Sequence, residues 1–255
     1  MKAKFDFQVD EDADTELEDN MGENEYSSAK GGSKQMSMKI YFAEISETEN
    51  IQTSDLMRLV STEKQGKLNR YRFPIDRNLC LYAELLVRQQ AMFLLGLDND
   101  EIEFGAKKYG KPFLRGHPAF HFNISHTQNA IAVAFSDSEI GVDIEKVQPP
   151  DFQISKRFFA SSEQDYIHSH KNPDRAFYEV WTKKEAYIKC IGTGLMKPLK
   201  SFDIFDIKNA TSTYMYEMGE YVISVYCKKS LTEEQPLIIL TENDLLSSFM
   251  KIAIF

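Results

Sequence analysis

Apolar positions fall into short alternating runs and two long helical stretches. Met38-Lys39-Ile40-Tyr41-Phe42-Ala43 alternates as a half-buried strand does and predicts the first strand of the folded body. Leu79 to Leu95 sets Leu79, Ala83, Leu86, Val87 and Met92 near one helical face, and Gly96 follows as a stop, so a long helix is predicted there. Phe120 to Ile124, Ala130 to Phe135 and Ile140 to Ile144 are short apolar segments separated by Ser, Asn and Asp, and they predict successive strands. A second long helix is predicted from Pro173 to Ile191. Asn172 supplies its N-cap, Pro173 its first-turn proline, and Gly192 and Gly194 its end. Phe202 to Ile207, Ser212 to Met218 and Tyr221 to Cys227 predict three more strands. A long helix with short antiparallel strands therefore occurs twice, which points to an α+β fold of two halves, 38–138 and 139–255.

Composition alters this picture mainly at the start of the chain. Residues 1–38 hold ten acids against four lysines, out of a net charge of -9 for the whole chain. Residues 1–37 are too polar to bury a core and are expected to form a disordered acidic extension. The remaining charge is nearly balanced and no basic arm is present, which argues against nucleic acid as a partner. Cys80, Cys190 and Cys227 are widely spaced and odd in number, as free thiols in a reducing compartment would be. The most apolar stretch, Leu79 to Leu97, is broken by Glu84, Arg88, Gln89 and Gln90, so no membrane span is expected and the protein is read as cytoplasmic.

Four polar clusters carry candidate chemistry. In Ile140-Gly141-Val142-Asp143-Ile144-Glu145, a strand sends Asp143 and Glu145 to one face. Paired carboxylates suit a hard cation such as Mg²⁺, although a solvated strand face has the same pattern. In Trp181-Thr182-Lys183-Lys184-Glu185-Ala186-Tyr187-Ile188-Lys189, Glu185 and Lys189 stand one helical turn apart, either as an ordinary surface pair or as a carboxylate and a cation sharing one site. Ser125 and His126 end a strand and point to opposite faces, so a phosphate contact suits them better than a hydrolytic dyad. Tyr109-Gly110-Lys111-Pro112-Phe113 reads as a turn, with Lys111 offering a point charge.

Taken in order, Y-G-K-P, F-N-I-S-H, I-G-V-D-I-E-K and W-T-K-K-E-A-Y-I-K, with R-F-F-A-S-S-E at Arg157 to Glu163, resemble the Sfp-type 4'-phosphopantetheinyl transferases. The resemblance runs from about Met38 to Phe205. It implies transfer of the phosphopantetheine arm of coenzyme A to a serine of an apo acyl or peptidyl carrier protein, by a monomer of pseudo-twofold fold. It also implies that Asp143, Glu145 and Glu185 are Mg²⁺ ligands, with Glu185 and Lys189 as catalytic residues. Lys64, Lys67, Gly110, Lys111, Pro112, Ser125 and His126 match positions that contact coenzyme A. Cys80 stands where the family has a threonine hydroxyl near the phosphates, a departure from the pattern that bears on one hydrogen bond there. The segment from Val147 to Tyr166, with Phe152, Ile154 and Phe158, is expected to meet the carrier protein. Two other activities use the same residues: a Mg²⁺-dependent hydrolase of the coenzyme A pyrophosphate, and a non-catalytic binder of coenzyme A or of the carrier.

Overall fold

The computed structural model describes residues 38–47, 53–207, 212–230 and 235–252; the expected extension at 1–37 lies outside them. β1 (Lys39–Glu44) is followed by α1 (Thr53–Leu56), α2 (Thr62–Leu68) and the long α3 (Pro74–Leu95). A hairpin of β2 (Phe104–Ala106) and β3 (Pro112–Leu114) precedes β4 (His121–Thr127) and β5 (Ala130–Ser136). After β6 (Ile140–Lys146) come α4 (Gln153–Phe158), α5 (Ser161–Ser169) and the second long helix, α6 (Pro173–Ile191). β7 (Ser212–Met218), β8 (Tyr221–Cys227), β9 (Leu237–Leu240) and α7 (Glu242–Ile252) complete the order. The α+β class expected from the sequence is the one observed.

The same connectivity occurs twice. β1, α3, β4 and β5 build a sheet with β5 central, and β6, α6, β7 and β8 build one with β8 central, each pairing being antiparallel. The first sheet departs from expectation in one respect, because β9 adds to its β1 edge in parallel and makes it mixed.

Period-two alternation explains how these layers stack. Ile40, Phe42, Ala132 and Ala134 of the first sheet meet Val142, Ile144, Ile223 and Val225 of the second in one apolar layer. The opposite faces carry the helices. Tyr41, Ala43, Ile131, Val133 and Phe135 join Leu79, Ala83, Leu86 and Val87 of α3, and α7 seals this cluster with Leu245, Leu246 and Phe249. On the far side, Val222 packs with Phe177 and Val180 of α6, and Tyr226 with Ala186 and Cys190. Each fully buried aliphatic side chain contributes about 2 kcal/mol, so the alternation fixes which strand face looks at which helix.

α6 has the predicted bounds, for the predicted reasons. The Asn172 side chain accepts from Arg175 N, Pro173 opens the first turn, and Gly192 closes the helix at φ 69°, a left-handed conformation suited to glycine. α3 begins five residues earlier than expected, with Pro74 in its first turn, and its central turns are buried on nearly every side. The expected strand from Phe202 to Ile207 is not formed. Its polar groups are taken by side chains instead, Lys184 donating to Phe202 O at 2.7 Å and Ile204 N donating to Glu163 Oε1 at 2.8 Å. Among the described residues the three cysteines are free and buried, and no helix is long and apolar enough to cross a membrane.

Candidate active site

Alternate side chains of β4 stand where a backbone partner for β6 would be. Asn123 Oδ1 accepts from Val142 N at 2.8 Å, Ser125 Oγ accepts from Ile144 N at 3.4 Å, and Thr127 Oγ1 donates to Glu145 Oε2 at 3.0 Å. The other β6 edge pairs with β8. The two repeated units are thus joined along a seam of side chains, and the expected carboxylates lie on it.

Asp143 is fully buried. A carboxylate in such a place needs charge and hydrogen-bond donors. Ser125 Oγ donates to its Oδ1 at 2.9 Å, and Lys189 Nζ reaches the same oxygen at 2.8 Å. Lys189 also donates to Ser125 Oγ at 2.8 Å and to Val142 O at 3.1 Å. Ser125, Asp143 and Lys189, from β4, β6 and α6, therefore form one polar centre. The helix comes this close because residue 141 is glycine, where an added Cβ would lie 2.0 Å from Ala186 O and 2.4 Å from Cys190 N.

α6 crosses β6 with opposite polarity. Lys189 lies at Val142 and Asp143, while Tyr178, near the other end of the helix, feels the charge of Glu145. Glu185, one turn before Lys189 and half-buried, falls between these two levels. Helical periodicity puts Glu185 on the face of α6 that carries Lys189, and the pleat puts Glu145 on the face of β6 that carries Asp143. Among the described residues, however, no three His, Cys, Asp or Glu side chains already form a cluster able to hold a metal ion. His126 follows Ser125 on β4 and points to the opposite strand face, as the pleat requires.

The basic residues singled out from the sequence lie elsewhere, each against a carboxylate. Lys64 is half-buried beside Glu84 at 3.1 Å. Burial works most strongly against its ammonium, but Glu84 and Cys80 together outweigh this and hold its pKa above the ordinary lysine value. Arg88 reaches Glu84 as well, at 3.1 Å. Lys67 pairs with Glu63 at 2.7 Å on α2. Gly110, at φ 82°, makes the turn between β2 and β3 and Pro112 begins β3, while the Lys111 side chain leaves the turn and is buried.

Three features escaped the sequence reading. Asn123 and Thr127 share the period-two face of Ser125, a signal present in F-N-I-S-H-T itself. Lys184, beside Glu185, has no exposed surface and donates to Glu163 Oε1 at 2.5 Å. Glu163 Oε2 in turn accepts from Ala160 N at 2.7 Å, at the head of α5. Trp181 proves to be a packing residue, stacked on Phe177 at 6.2 Å between centroids.

Two family models cover most of the chain and meet between residues 138 and 139. Residues 47–138 match the N-terminal model of 4'-phosphopantetheinyl transferase, and residues 139–239 match the 4'-phosphopantetheinyl transferase superfamily model. A 4'-phosphopantetheinyl transferase of Bacillus subtilis is 40% identical over 152 residues, spanning 58% of this chain and 67% of the relative. The chain belongs to the 4'-phosphopantetheinyl transferase superfamily. An Aneurinibacillus migulanus 4'-phosphopantetheinyl transferase is 37% identical over 163 residues, covering 63% of this chain and 67% of the relative. A more distant match is the L-aminoadipate-semialdehyde dehydrogenase-phosphopantetheinyl transferase of Xenopus laevis, 32% identical over 64% of this chain and 58% of its own length. The family to which the motifs point is the one these matches return, and in this phosphopantetheinyl transferase the polar centre falls on the seam between the two matched regions.

Proposed function

We infer that this chain transfers the 4'-phosphopantetheinyl group of coenzyme A to a serine hydroxyl of an apo acyl or peptidyl carrier protein, releasing adenosine 3',5'-bisphosphate. The observation that carries the reading is Lys189 held against Asp143 and Ser125 at the seam, in a chain of this family. We assign 38–138 and 139–255 to two halves related by a pseudo-twofold axis. Their shared connectivity supports the assignment, with β9 and α7 of the second half returning to the sheet of the first. We further read the enzyme as a cytoplasmic monomer without nucleic-acid or membrane partners.

Asp143, Glu145 and Glu185 are the residues proposed to hold Mg²⁺. Their donors are all oxygen, the ligand type of hard divalent cations, and the full burial of Asp143 suits a residue whose charge a cation offsets. Mg²⁺ bound there supplies charge neutralisation for the coenzyme A pyrophosphate. Glu185 takes the proton of the carrier serine as its oxygen attacks the phosphorus that bears the pantetheine arm. The bond from that phosphorus to the departing bisphosphate breaks, and Lys189 holds the charge that gathers on the leaving oxygen. Ser125 orients Lys189, and Ser125 and His126 are assigned to the phosphates of coenzyme A from their two sides of β4.

Lys64 and Lys67 are assigned to the 3'-phosphate, for which each exchanges its present carboxylate partner. Gly110, Lys111 and Pro112 are assigned through their backbone to the adenine end. For the carrier, Phe158 is the favoured contact of α4, because it is partly exposed whereas Phe152 packs edge-on against Phe177.

Incubation with coenzyme A, Mg²⁺ and an apo carrier protein, followed by mass spectrometry, tests the reading. A phosphopantetheine mass gain on the carrier serine, lost in Asp143→Ala and Glu185→Gln, is expected. Near-normal turnover of either variant overturns the site assignment, and cleavage of coenzyme A without carrier modification overturns the reaction.

A further inference from the structure

Lys111 leaves the turn between β2 and β3 and buries its ammonium where the two halves meet. Its Nζ donates to Glu139 Oε2 at 2.8 Å, to Ile140 O at 3.0 Å and to Cys190 O at 2.8 Å. An ammonium has three hydrogens, and here all three are used. Burial pushes the Lys111 pKa down, and Glu139 opposes that shift. Glu139 is shared with Lys107, whose Nζ lies 2.7 Å from Oε1.

The acceptors mark a particular place. Cys190 is in the last turn of α6, where carbonyls lack intrahelical donors and a cation is favoured. Ile140 opens β6, and the next residue is the glycine whose missing Cβ lets strand and helix backbones touch. The stem of Lys111 covers the end of the same helix, with Cδ 3.4 Å from the Cβ position at Gly192. Lys189 immediately precedes Cys190, and Asp143 lies three residues beyond Ile140. One side chain of the first half therefore ties together the strand and the helix that supply the polar centre.

We propose that Lys111 is a positioning residue that braces the β2–β3 turn against β6 and α6 and thereby holds Lys189 at Asp143, with no phosphate of coenzyme A as its partner. The proposal rests on the transfer reaction inferred above and replaces the point-charge role that the sequence suggests for this lysine.

The two roles predict opposite effects from paired variants. For a brace, Lys111→Met and Glu139→Gln each lower kcat about tenfold or more, since small misplacements of reacting groups cost rate. For Glu139→Gln, whose side chain has no assigned place at the cofactor, the KM and the calorimetric Kd for coenzyme A then stay within about threefold of wild type. The double variant loses no more than the worse single one. For a phosphate ligand, Lys111→Met weakens coenzyme A binding at constant kcat, while Glu139→Gln frees the lysine and leaves binding unchanged or tighter. That second pattern overturns the proposal. Should Lys111→Met fail to fold, Glu139→Gln alone decides, because only a brace loses kcat when this carboxylate is neutralised. A wild-type chain that fails to modify any carrier would sink the reaction but not the brace. The brace is then judged by denaturant unfolding, in which additive losses for the two variants count against it and non-additive losses support it.

Discussion

Lys189 Nζ lies 2.8 Å from Asp143 Oδ1, joining the end of the second long helix to the middle of the strand it covers. Lys189 is partly exposed while Asp143 is fully buried, so the cation is the member of the pair that solvent and substrate can reach. Lys189→Ala is expected to lower kcat about a hundredfold, the scale of a lost proton-transfer or charge-stabilising group. Coenzyme A affinity should change much less. Steady-state kinetics beside calorimetric binding checks this, and a loss confined to affinity would assign Lys189 to binding instead.

Gly141 is where the helix and strand backbones meet. A methyl group there would fall 2.0 Å from Ala186 O, a backbone atom that cannot rotate away. Gly141→Ala should push α6 off β6, with loss of turnover and a destabilisation of about 1 to 3 kcal/mol, the usual range for overpacking. Urea unfolding and carrier modification measure the two effects. A variant of native stability and full activity would show that the seam can widen freely.

The Glu163–Lys184 pair is buried at both ends. Removing one partner leaves an uncompensated charge in the interior, so Lys184→Met is expected to cost about 3 to 5 kcal/mol. Combining it with Glu163→Gln should recover part of that loss. Chemical denaturation of the single and double variants completes the cycle, and a loss in the double variant equal to the sum of the two single losses would argue against coupling.

Burial opposes ionisation of Glu139, but hydrogen bonds from Lys107 and Lys111 bring its pKa from 4.5 down to about 2. A carboxyl depressed in the folded state stabilises above its unfolded pKa, and that stability is lost as pH falls through the folded value. The contribution of Glu139 should therefore be full above about pH 4.5 and fade towards about pH 2. Glu139→Gln removes it, so the stability difference between wild type and variant shrinks across that window. Thermal melts at stepped pH test this, and a difference independent of pH would exclude the lysine pairing.

Local signals were legible in the sequence wherever they act over one or two turns. Asn172, Pro173 and Gly192 bound α6 by capping and backbone conformation, and the alternation in I-G-V-D-I-E sends Asp143 and Glu145 to the helix side. Phe202 to Ile207 misleads because its apolar residues pack on α6, Phe202 against Tyr187 at 4.8 Å, while Glu163 and Lys184 satisfy the backbone. Lys111 looks like any turn lysine because its acceptors lie 28, 29 and 79 residues away, beyond any local pattern. For the same reason the sequence does not reveal that Leu237 to Leu240 pairs with β1, across nearly the whole described chain.

That last pairing orders events during synthesis. A ribosome releases β1, α3, β4 and β5 early, yet the open edge of β1 and the surface that receives Phe249 beside Tyr82 wait for β9 and α7. Until then the nascent first half displays an unpaired strand and apolar surface of the kind that chaperones recognise. The first half to be translated is thus closed only once β9 and α7 have been made.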